Sequence, residues 1–118
     1  MNGHVNVCQI MIDHGANIGE KANDGRTVLH DAAEKGQSEV CRFLLDKEAN
    51  IKGKDNRGDT PLTLAAGFGH ADLCNVLLDK GADINAKGDQ NKPALYWAKE
   101  EGHDDVCIIL RSRGADPI

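Results

Sequence analysis

The stretch TPLTLAAGFGHADLCNVLLDKGAD, residues 60–83, carries the signals for two short helices and for the turns that end them. Thr60 is a hydroxyl N-cap placed directly before Pro61, which suits the first helical position because its missing N–H needs no partner there. A Gly-Phe-Gly-His turn closes this helix, and the apolar spacing over residues 73–78 predicts a second helix with one buried face. Gly81 lies where a left-handed C-cap is expected. The stretch therefore predicts one helix-turn-helix unit.

The unit recurs with a period of 33 residues. Cysteine marks the period most clearly, since each cysteine follows the previous one by 33 positions (41 − 8, 74 − 41 and 107 − 74). The columns that keep this register are Cys8, Cys41, Cys74 and Cys107; Gly3, Gly36, Gly69 and Gly102; Ala16, Ala49, Ala82 and Ala115; and Asn17, Asn50, Asp83 and Asp116. Copies at this period are typical of solenoids, in which each unit packs only on its neighbours.

The repeated motifs carry a family resemblance. They are TPLTLAA at residues 60–66, Gly69-His70, LLDKGADINA at 77–86, DGRTVLHDAA at 24–33, and the segment that begins with NGH at 2–4. Together they resemble ankyrin repeats over nearly the whole chain. The resemblance implies an all-α ankyrin-repeat solenoid of stacked helix-turn-helix units with β-turn fingers, about three and a half repeats long. We expect a partial repeat at 1–21, full repeats at 22–54 and 55–87, and a C-terminal capping repeat at 88–118.

Three positions depart from the repeat pattern. Glu48 stands where the other units have a turn glycine (Gly15, Gly81 and Gly114). Asn91 replaces the finger-tip glycine found as Gly25 and Gly58, and PALYWA at 93–98 replaces TPLTLA. A residue with a side chain in a left-handed turn is strained, so Glu48 is predicted to weaken the fold.

Composition and charge exclude several classes of function. The net charge of −5 and a pI near 5.4 disfavour nucleic acid as a partner, because phosphate backbones are bound by clustered Lys and Arg. The longest apolar run, residues 106–110, is far shorter than the roughly 20 residues of a membrane span, so membrane insertion is not expected. No signal-peptide pattern opens the sequence, which favours an intracellular protein of the cytoplasm or nucleus.

The cysteine column has two interpretations: the thiols form disulfides or bind a metal, or they pack in the core as small apolar residues. Equivalent positions on neighbouring helices lie about 8–10 Å apart, beyond the roughly 7 Å Cα limit for a disulfide. One thiol per repeat also cannot complete a tetrahedral metal site. We therefore expect all four cysteines to be reduced and mostly buried as small apolar residues.

No catalytic arrangement is evident. The histidines are explained by turn and cap hydrogen bonds, because they recur at the Gly-His turn (His4, His70 and His103) or close a Thr-x-x-His helix start (His30). The carboxylate pairs at 100–101 and 104–105 are interpreted as helix-start charges and a solvated face. Since no nucleophile has a base at a defined spacing and no phosphate loop follows a strand, the sequence predicts no enzyme, no metal and no cofactor.

Partner-binding residues follow from the resemblance. Ankyrin-repeat proteins bind partners along the concave groove made by the finger tips and the exposed face of each first helix. Carried over position by position, the implied set is Asn23, Asp24, Arg26, Asp31, Glu34, Lys35, Asn56, Arg57, Asp59, Leu64, Gly67, Phe68, Asp89, Gln90, Lys92, Tyr96, Trp97, Glu100 and Glu101.

Aromatic residues gather in the later part of this set. Phe68, Tyr96 and Trp97 are three of the four aromatics in the chain, and aromatic side chains often dominate the energy of protein interfaces. Trp97 is open to two interpretations, since it either contacts the partner or covers the core of the last repeat in place of Leu64. The binding energy is predicted to concentrate around Phe68 and Trp97.

The two ends of the chain differ in pattern. The first unit lacks its first helix, so we expect the chain to be a piece of a longer array. At the other end Arg111 replaces the apolar residue found as Ile12, Leu45 and Leu78, which is typical of a C-terminal cap and favours a natural boundary there.

Asn85 is a candidate hydroxylation site. Leu77, Asp83, Ile84 and Asn85 resemble the motif that is hydroxylated on asparagine in some animal ankyrin-repeat proteins. The equivalent residues of two other units, Gly19 and Lys52, lack the side chain for this modification.

The sequence thus favours a protein-binding module that binds its partner through the groove and catalyses no reaction. The alternative is a regulatory or targeting segment of a larger enzyme, which the size of the native polypeptide would distinguish. A small-molecule or lipid head-group site is a third interpretation, disfavoured because no convergent polar pocket is visible. The oligomeric state and the partner's identity do not follow from the repeats.

Overall fold

Three helix pairs follow one another along the chain in a computed structural model that describes residues 18–117. The helices are α1 (Val28–Glu34), α2 (Ser38–Asp46), α3 (Pro61–Gly67), α4 (Ala71–Asp79), α5 (Ala94–Glu100) and α6 (Asp104–Ser112), with a short 3-10 turn at Asp89–Asn91. The first helices begin 33 residues apart (61 − 28 and 94 − 61), as do the second helices (71 − 38 and 104 − 71). The predicted period and the all-α class are confirmed.

The helices form two layers. The first helices α1, α3 and α5 stack on one another, the second helices α2, α4 and α6 do the same, and each pair packs across the layers. The core follows the same period, because its large side chains are Leu29, Leu62 and Leu95 in one layer and Leu44, Leu77 and Leu110 in the other. Each unit therefore buries its apolar face against its neighbours, as in a solenoid.

Reciprocal hydrogen bonds fix the start of α3. The Thr60 hydroxyl accepts from the N–H of Thr63 at 3.2 Å, and the Thr63 hydroxyl accepts from the N–H of Thr60 at 2.9 Å. Helix α5 begins after Pro93, which supplies no side-chain cap. The departure at 93–98 thus removes a cap that is worth about 1 kcal/mol in other helices.

The described cysteines belong to the core, as predicted. Cys41, Cys74 and Cys107 are all buried. Burial, with a smaller contribution from the carboxylate of Asp105, raises the pKa of the Cys74 thiol to about 12. Since the thiolate is the reactive form, Cys74 behaves as a small apolar residue. Cys8 lies outside the described residues.

The turn histidines form hydrogen bonds, as predicted, but their acceptors lie in the preceding unit, which the sequence did not predict. The Nε2 atom of His70 lies 2.7 Å from the carbonyl oxygen of Glu34, and that of His103 lies 3.2 Å from the carbonyl oxygen of Gly67. The ring of His70 occupies the space beside Gly36, where an added methyl group would lie 2.5 Å from Nδ1. These contacts account for the Gly-His register, while His4 lies outside the described residues.

Glu48→Gly is expected to stabilise the protein. Glu48 has a φ of +68°, in the left-handed region, and the equivalent Gly81 and Gly114 both have a φ of +98°. A side chain in this conformation costs about 1 kcal/mol, so the melting temperature should rise by roughly 4 °C or more. Lys47→Gly is the matched control, because Lys47 has an ordinary φ of −92° and should gain nothing. A melting temperature unchanged or lowered in Glu48→Gly would contradict the assignment.

Candidate functional site

A groove runs along the fingers and the first helices of the three described units and encloses about 630 Å³. Its lining is Asp24, Arg26, Glu34, Asp55, Asn56, Arg57, Asp59, Thr63, Leu64, Gly67, Phe68, Asp89, Trp97, Glu101 and His103. The groove thus combines charged finger residues with apolar residues of α3 and α5.

Most of the residues carried over from the family resemblance lie in this groove. Those in its lining are Asp24, Arg26, Glu34, Asn56, Arg57, Asp59, Leu64, Gly67, Phe68, Asp89, Trp97 and Glu101. Those outside its lining are Asn23, Asp31, Lys35, Gln90, Lys92, Tyr96 and Glu100. Contact of either group with a partner stays a prediction. Asp55, Thr63 and His103 also line the groove and were missed; Asp55 and Thr63 lie beside residues that were predicted.

The apolar part of the groove centres on Phe68. Its side chain is 54% exposed, whereas Leu64 beneath the groove is buried. Gly67 lies directly beside Trp97, because a methyl group added there would be in van der Waals contact with the Trp97 Cβ atom at 3.5 Å. Phe68 therefore offers an exposed apolar surface beside the buried side chain of Leu64.

Trp97 is half-buried, which matches neither interpretation alone. Its ring meets the ring of Tyr96 edge to face, with centroids 5.1 Å apart. The Trp97 Nε1 atom is buried and has no hydrogen-bond partner among residues 18–117. An unpaired buried N–H is costly, so this atom lowers the stability of the fold.

Buried hydrogen bonds fix the fingers that form the groove wall. His30 accepts from the N–H of Thr27 through Nδ1 at 3.1 Å, so Nε2 carries the proton. That Nε2 lies 3.0 Å from the carbonyl oxygens of both Gly53 and Asp59. One buried ring therefore ties helix α1 to the finger of the next unit.

The following unit uses different chemistry for the same purpose. Thr63, at the position equivalent to His30, donates its hydroxyl to Asp59 Oδ1 at 3.1 Å. The same oxygen accepts from the N–H of Asp89, in the next finger, at 2.8 Å. Asp55 Oδ1 in turn accepts from the N–H of Asp59 at 2.9 Å. A network of aspartates thus replaces the histidine between these two fingers.

The charges of the groove are unevenly paired. Arg26 pairs with Asp31 at 3.1 Å and with Glu34 at 2.8 Å. Burial lowers the pKa of Arg26, but the hydrogen bonds and charges of Glu34 and Asp31 outweigh this effect and raise it. The surroundings of Asp59, in contrast, disfavour its charged form. Burial and the nearby carboxylates of Asp55 and Asp89 raise its pKa despite its hydrogen bonds.

Asp59 is expected to make stability depend on pH. Because its pKa is raised in the folded protein, the folded state holds this proton more tightly, and stability falls as pH rises from about 3.8 through the raised value. Asp59→Asn keeps Oδ1 as an acceptor and removes the charge. The variant should exceed the parent in stability at neutral pH and lose this advantage in acid.

Urea unfolding at several pH values measures this effect. Asp72→Asn is the control, since Asp72 is an exposed carboxylate on α4 outside the groove lining. Parallel stability curves for the parent and Asp59→Asn would contradict the expectation.

Metal binding and membrane insertion find no support in the described part of the chain. Among residues 18–117, no group of three or more His, Cys, Asp or Glu side chains is arranged to hold a metal ion. The longest helices there have nine residues, and none is long and apolar enough to cross a membrane.

Comparison with known proteins identifies the family. A family model described as ankyrin repeats (3 copies) matches residues 1–55 and 50–118. A search of curated proteins gives no match. The family match spans the whole chain and agrees with the stacked helix pairs described above. The chain therefore belongs to the ankyrin-repeat family.

Proposed function

We propose that this chain is a protein-binding module that holds its partner in the groove and has no catalytic activity of its own. Ankyrin repeats are generally protein–protein interaction modules. The buried thiols fit a reducing compartment, so we place the protein inside the cell, in the cytoplasm or nucleus.

The exposure of Phe68 is the observation that carries this proposal. A phenylalanine with 54% of its surface in water contributes little to the core, yet it lies in a groove beside Leu64 and Trp97. An aromatic ring loses little conformational freedom on docking and removes much apolar area from water. Such a residue commonly contributes about 2 kcal/mol to an interface when it lies near the centre.

Phe68→Ala tests the proposal. The partner is recovered by affinity capture from the native source, and its affinity is then measured by calorimetry. We expect Phe68→Ala to weaken binding roughly thirtyfold with little change in melting temperature. Ile108→Ala is the matched control, because Ile108 is 66% exposed and lies outside the groove lining. Equal effects of the two variants would contradict groove binding.

We also propose Asn85 as a hydroxylation site. Its N–H donates to Asp83 Oδ1 at 3.0 Å, and its own Oδ1 accepts from the N–H of Asp116 at 2.9 Å. Treatment with an asparaginyl hydroxylase should add one oxygen to this residue, detected by peptide mass spectrometry. Asn85→Gln is the control, and an unchanged mass of the parent peptide would contradict the proposal.

A further inference from the structure

The groove carries an excess of negative charge. Its lining holds six carboxylates and two guanidinium groups, a difference of four; these are Asp24, Glu34, Asp55, Asp59, Asp89 and Glu101 against Arg26 and Arg57. The whole chain has a net charge of −5, so most of the excess lies in one part of the surface. A partner with positive charge would be attracted to this part of the molecule.

The carboxylates of the groove are largely without cations. Arg26 forms ion pairs with Glu34 and with Asp31, and Asp31 lies outside the groove lining. Within residues 18–117, no Lys, Arg or His side chain forms an ion pair with any of the other five groove carboxylates. Arg57 is exposed at a finger tip and likewise has no ion pair in that part of the chain.

Two of these carboxylates are buried. Asp55 and Asp59 are each only 8% exposed and are compensated by hydrogen bonds alone. A buried charge is costly unless an opposite charge accompanies it. Repulsion from Asp55 and Asp89 contributes to the raised pKa of Asp59, which shows the same excess of negative potential. A cation placed at the groove wall would relieve this cost.

The acidic wall and the apolar floor lie in the same groove. Phe68 and Leu64 offer apolar contact, and the half-buried Trp97 borders them. A phosphate backbone would be repelled by these carboxylates, and a free cation would leave the ring of Phe68 uncovered. A polypeptide supplies a cation and an apolar side chain together.

We infer that the segment bound in the groove is a basic stretch of a partner protein, in which Lys or Arg residues flank an aliphatic or aromatic side chain. This inference rests on the proposed function. The flanking cations lie beside the groove carboxylates other than Glu34, which are Asp24, Asp55, Asp59, Asp89 and Glu101. The apolar side chain packs on Phe68.

Synthetic peptides of equal length test the inference. Each carries one central leucine, flanked by Lys and Arg, by Ser and Gly, or by Glu. A fourth peptide keeps the basic flanks and replaces leucine by glycine, and spermidine serves as a cation without a backbone. Trp97 is the chain's single tryptophan, so its fluorescence reports occupancy of the groove.

We expect the basic peptide with leucine to bind most tightly and to weaken as salt rises. The double variant Asp89→Asn with Glu101→Gln should weaken that binding roughly tenfold, which is about threefold for each charge removed. Its control is Glu39→Gln with Asp72→Asn, which removes the same charge from exposed positions outside the groove lining. The control should bind as the parent does.

Four results would overturn the inference: tightest binding of the neutral or acidic peptide, equal binding of spermidine, equal loss in both double variants, or no binding of any peptide. The first would leave groove binding intact and reject only the basic partner. The proposed function itself fails by a different result, when Phe68→Ala and Ile108→Ala affect the captured partner equally. The two failures are therefore distinguishable.

Discussion

Replacing His30 by alanine is expected to lower the free energy of unfolding by about 3 kcal/mol. The ring is 1% exposed, so its removal leaves a cavity. It also leaves the carbonyl oxygens of Gly53 and Asp59 without the donor that they share, and the N–H of Thr27 without its acceptor. Unsatisfied buried groups cost more than a hydrogen bond contributes, which places this loss among the largest for a single residue.

His30→Thr separates the two roles of the ring. Thr63 occupies the equivalent position in the next unit and caps its own helix through its hydroxyl. The threonine variant should therefore recover the cap while the bridge to the next finger stays lost, and its stability should lie between those of the parent and His30→Ala. Urea unfolding gives the values. A loss below about 1 kcal/mol in His30→Ala would contradict the role assigned to the bridge.

Trp97→Ala is expected to weaken partner binding roughly thirtyfold and to lower stability by about 2 kcal/mol. Both effects follow from its half-buried position, since one part of the ring packs on the protein and the other borders the groove. The contact with Tyr96 adds to the loss of stability. Calorimetry with the captured partner measures the first effect, and thermal unfolding measures the second.

Trp97→Phe is the matched variant. It keeps an aromatic ring and removes the buried N–H that has no partner among residues 18–117. Stability should therefore be equal to or above that of the parent, while affinity stays near that of the parent because the aromatic surface at the groove is kept. If Trp97→Ala lowered stability alone, with unchanged affinity of the folded protein, Trp97 would be a residue of the core and not of the interface.

The repeat period explains how much of the fold was predictable. Every unit must bury the same face against its neighbours, so the column of Leu29, Leu62 and Leu95 fixes the first helices and the cysteine column fixes the second. The same register predicted the strained turn, and Glu48 does have a positive φ. Because every repeat indicates the same local structure, the periodic features of the fold were predicted correctly.

The site was less predictable because its chemistry is not periodic. His30, Thr63 and Tyr96 occupy the same column, yet only His30 reaches the next finger directly, across 29 residues to Asp59. Asp55 contributes to the groove through hydrogen bonds that depend on the exact path of one finger. The half-burial of Trp97 depends on its packing beside Tyr96 and Gly67. Such contacts follow from three-dimensional packing and not from spacing along the chain.

Site-specific photo-crosslinking tests the central claim most directly. A benzophenone amino acid is placed at position 68 in the groove or at position 108 outside it, and each protein is irradiated with the captured partner. Binding in the groove predicts a covalent product from position 68, with the crosslinked partner peptide identified by mass spectrometry, and little product from position 108. Efficient crosslinking from position 108 with none from position 68 would contradict the account.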